Sequence, residues 1–191
     1  GKSTLLRCLV GLVPRTSGKL SIFGHDPATH SLLIRQRACY LPGETGVYHQ
    51  MTGASFLKFA LGFYPNQSLE RKDRLLEQFQ LPLRQKVRSY SAGMKQKLAL
   101  IATLAPDVDL YLLDEPDRAL DASVRFYLRD ELRTLKNQGK TILLSSHHLS
   151  EVETLADRLE FLLNGRFVSA ERLQRARAQL HRQPRIRLRD G

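Results

Sequence analysis

Residues 90–121 read YSAGMKQKLALIATLAPDVDLYLLDEPDRALD, and the centre of this stretch decides the fold. Leu110-Tyr111-Leu112-Leu113 is a continuous apolar run that stops abruptly at Asp114, Glu115 and Pro116. A strand covered on both faces has no polar alternation, so this run reads as a buried parallel strand ending in two acids. The carboxyl ends of such strands are where open α/β sheets bind ligands. Successive strand residues point to opposite faces, so Asp114 and Glu115 cannot do the same job. One carboxylate at a metal and the other at a water suits that division. Taken alone, the LLDEP segment also fits a plain strand running into a polar turn.

Two neighbouring stretches weigh against the plain turn. Ser91-Ala92-Gly93 opens a helix of sequence MKQKLALIATLA. Its free backbone N–H groups and the Ser91 hydroxyl make a ready anion site. At the chain's start stands Gly1-Lys2-Ser3-Thr4, followed by the apolar helix LLRCLVGL. This matches the second half of the phosphate-binding loop G-x-x-x-x-G-K-[ST].

With these motifs in this order, the chain resembles the nucleotide-binding subunit of an ATP-binding cassette (ABC) transporter, from Gly1 to about Val168. Gly1-Lys2-Ser3-Thr4 resembles the end of the Walker A loop, and Tyr90-Ser91-Ala92-Gly93-Met94 the family signature, usually LSGGQ. Leu110 to Glu115 resembles Walker B with its catalytic glutamate. Ala119-Leu120-Asp121 resembles the D-loop, and Ser145-Ser146-His147 the switch histidine. The resemblance implies an α/β fold of the P-loop NTPase type. It would have a mainly parallel sheet flanked by helices, with a helical subdomain inserted at about residues 45–100. Residues 1–168 would form the ATPase domain, and 169–191 a basic C-terminal extension.

The implied chemistry is hydrolysis of ATP with Mg²⁺. Lys2 would reach the β- and γ-phosphates, and the backbone amides of Gly1, Lys2, Ser3 and Thr4 would cradle them. Ser3 and Asp114 would hold Mg²⁺. Glu115 would act as general base on the attacking water, with His147 positioning it. Ser91 and Gly93 would contact the γ-phosphate of ATP bound to a second ATPase subunit, and Asp121 would order that dimer interface. The implied partners are transmembrane permease subunits and a homo- or heteromeric second ATPase subunit, at the cytoplasmic face of a membrane. The YLPGE and Y-S-x-G-M-K-Q-K segments resemble bacterial exporter ATPases, which points to export.

Several positions depart from the family pattern. The glutamine expected after Pro42 is Gly43, with Glu44 next. Glu44 either substitutes in part, reaching Mg²⁺ through water, or sits in a loop facing a partner. Ala92 and Met94 replace signature residues, and Ala92 is tolerable where φ is negative. Asp117 adds a negative charge near the triphosphate, with Arg118 the only visible offset. His148 reads as a surface turn or an adventitious metal site. These departures would suit a degenerate cassette, which the retained Glu115 and His147 oppose. The other rival is a soluble ABC-type ATPase acting on ribosomes or DNA. Gly1 corresponds to the loop's second glycine. The loop's first half, the strand feeding it and an adenine-stacking aromatic would therefore precede it, and residues 1–191 alone are expected to hydrolyse little ATP.

Composition sets outer bounds. With 191 residues, 42% of them hydrophobic, the chain can bury one sizeable core. No apolar stretch approaches the roughly 18 residues of a membrane span. Cys8 and Cys39 are far apart in apolar contexts, as reduced buried cysteines are. The net charge is +11, and from Arg166 onward eight Arg face only Glu171 and Asp190. Such a tail suits a nucleic acid, an anionic lipid surface or simply a solvated helix. Without interleaved aromatics beyond Phe167 it offers no base-stacking platform, so nucleic acid is not an expected partner.

Pattern and punctuation place the remaining elements. A short strand is expected over Lys19 to Phe23, a helix near Ala28 to Arg37 and a buried strand over Ala38 to Leu41. Phe56, Phe59, Ala60 and Phe63 form an aromatic stripe at helical spacing, read as core. By the resemblance, Tyr48, His49 and Phe56 lie near a groove that receives the permease. Ser68 should cap a helix through Gln80 with Leu69, Leu75, Leu76 and Phe79 on its apolar face. Asp121 or Ser123 should cap a helix to about Asn137, ended by Gly139. A buried strand is expected over Thr141 to Leu144, and a hairpin about Asn164-Gly165.

Overall fold

The computed structural model describes residues 1–148 and 152–168. The chain divides into two compact units, Lys2–Leu155 and a second made of Gly1 with the segment from Ala156 onward. The first unit carries a three-stranded parallel sheet in the order β1-β2-β3, formed by β1 (Ala38–Leu41), β2 (Leu110–Asp114) and β3 (Thr141–Ser145). In register, Ala38 pairs with Leu110 and Leu41 with Leu113, while Leu110 pairs with Thr141 and Asp114 with Ser145. The sequence of β2 dictates its central place, since all five of its residues are buried.

Alternation along β2 divides the core in two. Leu110 and Leu112 pack with Leu6, Leu9 and Val10 of α1 (Lys2–Leu9) and the turn after it, and with Ile34 of α2 (Ser31–Arg37). Tyr111 and Leu113 face the other way. There they join α3 (Gly53–Leu61), α4 (Leu69–Phe79), α5 (Ala92–Leu104) and α6 (Ala122–Asn137) in the larger core. By the same parity Asp114 falls on the side of α1, and Glu115 begins the turn beyond.

The helices start where hydroxyls and carboxylates can accept free amides. Thr52, Ser68, Ser91 and Asp121 cap α3, α4, α5 and α6 by accepting from Ser55, Arg71, Met94 and Val124. Gly139, at φ 78°, closes α6 as expected. In the second unit, β4 (Phe161–Leu163) and β5 (Arg166–Val168) form the expected antiparallel hairpin. Its turn residues Asn164 and Gly165 sit at φ 49° and 76°, as a two-residue turn matching strand twist requires.

Five expectations are corrected. Lys19 to Phe23 forms no strand. The segment makes a single bridge, Ile22 to His25, around a turn with Phe23 and Gly24 at positive φ, and the Arg37 guanidinium stacks on the Phe23 ring. The helix expected from Ala28 begins only at Ser31, because Asp26 takes the amides of Ala28, Thr29 and His30 into a turn of its own. Leu69 is exposed, and the face of α4 that turns inward is Arg71, Leu75 and Phe79. In the aromatic stripe only Phe56 is buried, while Phe59 and Phe63 are 41% and 68% exposed. The strand β3 is half-covered rather than buried, with Thr141 and Leu143 exposed, since it lies at the edge of the sheet among the described residues.

Candidate active site

The carboxyl ends of β2 and β3 hold the chemistry. Asp114 is 1% exposed, and its Oδ1 accepts a 2.5 Å hydrogen bond from the Ser145 hydroxyl. Its Oδ2 is equally buried and has no hydrogen-bond partner. A buried carboxylate oxygen left unpaired is costly unless a cation or a metal-bound water satisfies it. That oxygen therefore fits a hard divalent ion such as Mg²⁺, which takes oxygen ligands and keeps several waters. Room beside Oδ2 exists because residue 43 lacks a side chain: a Cβ at Gly43 would stand 3.1 Å from it.

Glu115 is turned out of the strand by a left-handed backbone, φ 49°, while its amide donates to the Ser145 carbonyl at 3.1 Å. Its Oε1 lies 2.7 Å from Nε2 of His147. A carboxylate only accepts, so Nε2 carries the proton in this contact. Lys2, the first residue of α1, donates from Nζ to the Ser146 carbonyl at 3.1 Å. Lys2, Asp114, Glu115 and His147 are thus tied together through the single segment 145–147.

The other expected residues are placed differently. Ser3 and Thr4 lie in the first turn of α1, Ser3 half-buried and Thr4 exposed. Gly1 belongs with the second unit. Ser91 is exposed at the start of α5 with its hydroxyl engaged by the Met94 amide. Ala92 has ordinary helical geometry, so alanine is tolerated there. A Cβ at Gly93 would meet the Ala119 carbonyl oxygen at 2.7 Å, so only glycine allows the signature helix this close to the turn after β2. Asp121 Oδ1 accepts from the Ser123 hydroxyl at 2.6 Å and the Val124 amide at 2.9 Å. These two bonds hold its carboxyl below the usual carboxylate range.

Glu44 is exposed, whereas its neighbours on either side make the contacts. The Gly43 carbonyl accepts from Arg118 Nη1 at 2.9 Å, and the Thr45 hydroxyl donates to Gln96 Oε1 at 2.8 Å. Arg118 is therefore not the offset for Asp117. The Asp117 carboxylate instead faces the Ser146 hydroxyl at 3.5 Å and His148 Nε2 at 3.7 Å, which gives His148 a charged neighbour rather than a bare surface turn. Sequence reasoning missed the places of Gly43 and Gln96, because neither belongs to a motif whose residue type announces its contacts.

Among the described residues no helix is long and apolar enough to cross a membrane. Residues 1–118 match the family profile described as ABC transporter. An uncharacterized ABC transporter ATP-binding protein of Nostoc sp. is 34% identical over 88% of this chain and 52% of its own length. The daunorubicin resistance ATP-binding protein DrrA3 of Streptomyces coeruleorubidus is 32% identical over 88% of this chain and 55% of its own. The chain spans about half the length of these relatives. A solved ATP-binding subunit of an ABC transporter superposes with a TM-score of 0.80 at 29% identity, covering 93% of this chain and 78% of that one. The chain belongs to the ABC transporter family, as an ATP-binding domain of the P-loop α/β type.

Proposed function

We propose that the full-length protein hydrolyses ATP and couples that hydrolysis to export through a membrane permease. The observation that carries this reading is the Glu115–His147 contact of 2.7 Å next to the unpaired Asp114 oxygen. Mg²⁺, when bound, would neutralise charge on the β- and γ-phosphates, with Asp114 and Ser3 as its protein-side holders. Lys2 exchanges the Ser146 carbonyl for phosphate oxygens, which leaves the 145–147 segment free to respond to the nucleotide. Glu115 accepts the proton of the attacking water, and His147 holds the carboxylate's orientation by donating to it.

The amides of Gly1, Lys2, Ser3 and Thr4 cradle the phosphates. Ser91 and Gly93 are offered to ATP on a second ATPase subunit, and Asp121 shapes the surface between the two. Glu44, exposed in its loop, reaches the metal through water. The permease contacts the aromatic groove at Tyr48, Phe59 and Phe63, on the cytoplasmic face of the membrane. Tyr48 and Phe56 line that groove with Phe59 and Phe63, while His49 does not. The direction of transport rests on relatives named for drug resistance.

The test is Glu115→Gln in the full-length protein with Mg²⁺ and ATP. Hydrolysis should fall by at least about 100-fold, on the scale of losing a general base, while ATP still binds. Hydrolysis equal to that of the parent would refute the assignment.

A further inference from the structure

Gln96 sits in the second turn of α5, in the Y-S-x-G-M-K-Q-K segment but with no role assigned to it there, and its side chain is 2% exposed. A buried primary amide is kept only where both of its ends are satisfied. Here they are, by two different segments. Nε2 donates to the Pro116 carbonyl at 3.0 Å, and Oε1 accepts from the Thr45 hydroxyl at 2.8 Å. The Pro116 oxygen can only accept, so the amide nitrogen must face it and Oε1 must face Thr45. The orientation of the amide is therefore fixed by chemistry.

Each end of this link reaches the reaction site. Thr45 is two residues from Gly43, where an added Cβ would stand 3.1 Å from the unpaired Asp114 oxygen, and three from Tyr48 of the aromatic groove. Pro116 follows Glu115, and the turn that holds Glu115 at positive φ is closed by Arg118 N donating to the Glu115 carbonyl at 3.1 Å. A second tie runs in parallel, from Arg118 Nη1 to the Gly43 carbonyl. Loop 43–45 and turn 115–118 thus share two short bridges, one of which runs through the Gln96 side chain of α5.

We infer that Gln96 is a positioning residue that makes loop 43–45 and the Glu115 turn move as one body. A displacement of the loop, at its metal end or at its groove end, then reorients the Glu115 carboxylate. This role rests on the ATPase reading for its functional consequence, and the linkage itself does not. Gln96 touches no reacting atom. It acts through Pro116.

The cleanest probe is Thr45→Val, which keeps the shape and deletes only the hydroxyl. In the full-length protein kcat for ATP should fall about tenfold, a modest share of the barrier, with the nucleotide Kd changed less than twofold. Hydrogen exchange at the amides of Arg118 and Leu120, more than 70 residues away in sequence, should quicken about tenfold as the turn loosens. Thr45→Ser, which restores the donor, should recover both. Adding Gln96→Leu to Thr45→Val should cost no more than Gln96→Leu alone. Unchanged exchange at Arg118 and Leu120 in Thr45→Val overturns the linkage, and it can be read whether or not the protein hydrolyses ATP. With exchange quickened, an unchanged kcat overturns the positioning role, as does a loss of kcat matched by lost nucleotide affinity. If the parent protein hydrolyses no ATP at all, the ATPase reading fails separately and the exchange arm alone decides.

Discussion

Two residues after β2, Glu115 and Ala119, hold the left-handed backbone at φ 49° and 58°. For a residue with a Cβ that conformation costs about 1–2 kcal/mol. At Glu115 the strained conformation aims the carboxylate at His147, 2.7 Å away. At Ala119 nothing is gained by the methyl. Ala119→Gly should therefore stabilise the protein by about 0.5–1 kcal/mol, the strain relieved less the extra entropy glycine gives the unfolded chain. Denaturant midpoints would measure it, and a lower midpoint would refute the strain. Gly43 tests the opposite case. Gly43→Ala places a methyl 3.1 Å from the Asp114 oxygen proposed above to hold Mg²⁺. Mg²⁺ affinity in the presence of nucleotide should fall by roughly tenfold, as changes just outside a metal's ligands do. An unchanged Mg²⁺ titration would rule that out. Asp114, Glu115 and His147 could be picked out as candidates in the sequence because carboxylates and a histidine follow apolar strands there. Gly43 was read as a missing glutamine. Its packing against Asp114 depends on a tertiary approach that no local pattern encodes.

The helix α4 shows the same limit one level up. Its sequence offers leucines at 69, 75 and 76, and periodicity alone gave Leu69 to the core. The buried face instead begins with Arg71, and Leu69 sits exposed in the first turn. Arg71 is 3% exposed. It donates to the carbonyls of Leu104 and Pro106, to the Tyr111 hydroxyl and to Gln138. It also lies 3.2 Å from the buried Glu131 carboxylate, which Arg74 shares. One guanidinium thus joins α4 to the ends of α5 and α6 and to β2. Five donors in a rigid fork can satisfy that many oxygens, and a leucine cannot. Arg71→Leu should destabilise the protein by about 3 kcal/mol, since it strands buried acceptors and weakens a buried ion pair. A loss below about 1 kcal/mol in equilibrium unfolding would mean water takes over those carbonyls. Elsewhere the element-level reading succeeded where the signal was local. Ser68 caps α4 as expected, and of the two candidates Asp121 and Ser123 it is Asp121 that caps α6. It failed at β3, because TILL is equally apolar at the centre or the edge of a sheet and only the neighbours decide.

At the scale of the whole molecule, β1 links the buried core to an open apolar groove beside it. Cys39 in β1 is 1% exposed, and burial pushes its thiol up to about 12. The sign follows directly. A raised folded value stabilises below the unfolded thiol's value of about 8.5, and that contribution is lost as pH rises from there toward 12. Native Cys39 should resist maleimide at pH 8 and react once the chain is unfolded. Labelling of the folded protein at the rate of a free thiol would contradict the burial. Above Cys39 lies a groove of about 510 Å³, walled by Leu32, Tyr48, Phe56, Phe59 and Phe63. Tyr48, Phe59 and Phe63 stack edge to face in series, with centroids 5.3 and 5.1 Å apart. Aromatic rings so exposed yet mutually ordered offer a rigid apolar surface at little entropic cost, the character of a protein-binding surface rather than of a spare core. Phe59→Asp with Phe63→Asp should leave folding nearly intact, since substitutions at exposed positions typically shift stability by about 0.5 kcal/mol or less. In the full-length protein the same change should abolish co-purification with the proposed permease while ATP binding persists. Retained co-purification at parental yield would place the permease contact elsewhere on the molecule. Loss of ATP binding along with co-purification would instead tie the groove to the nucleotide site itself.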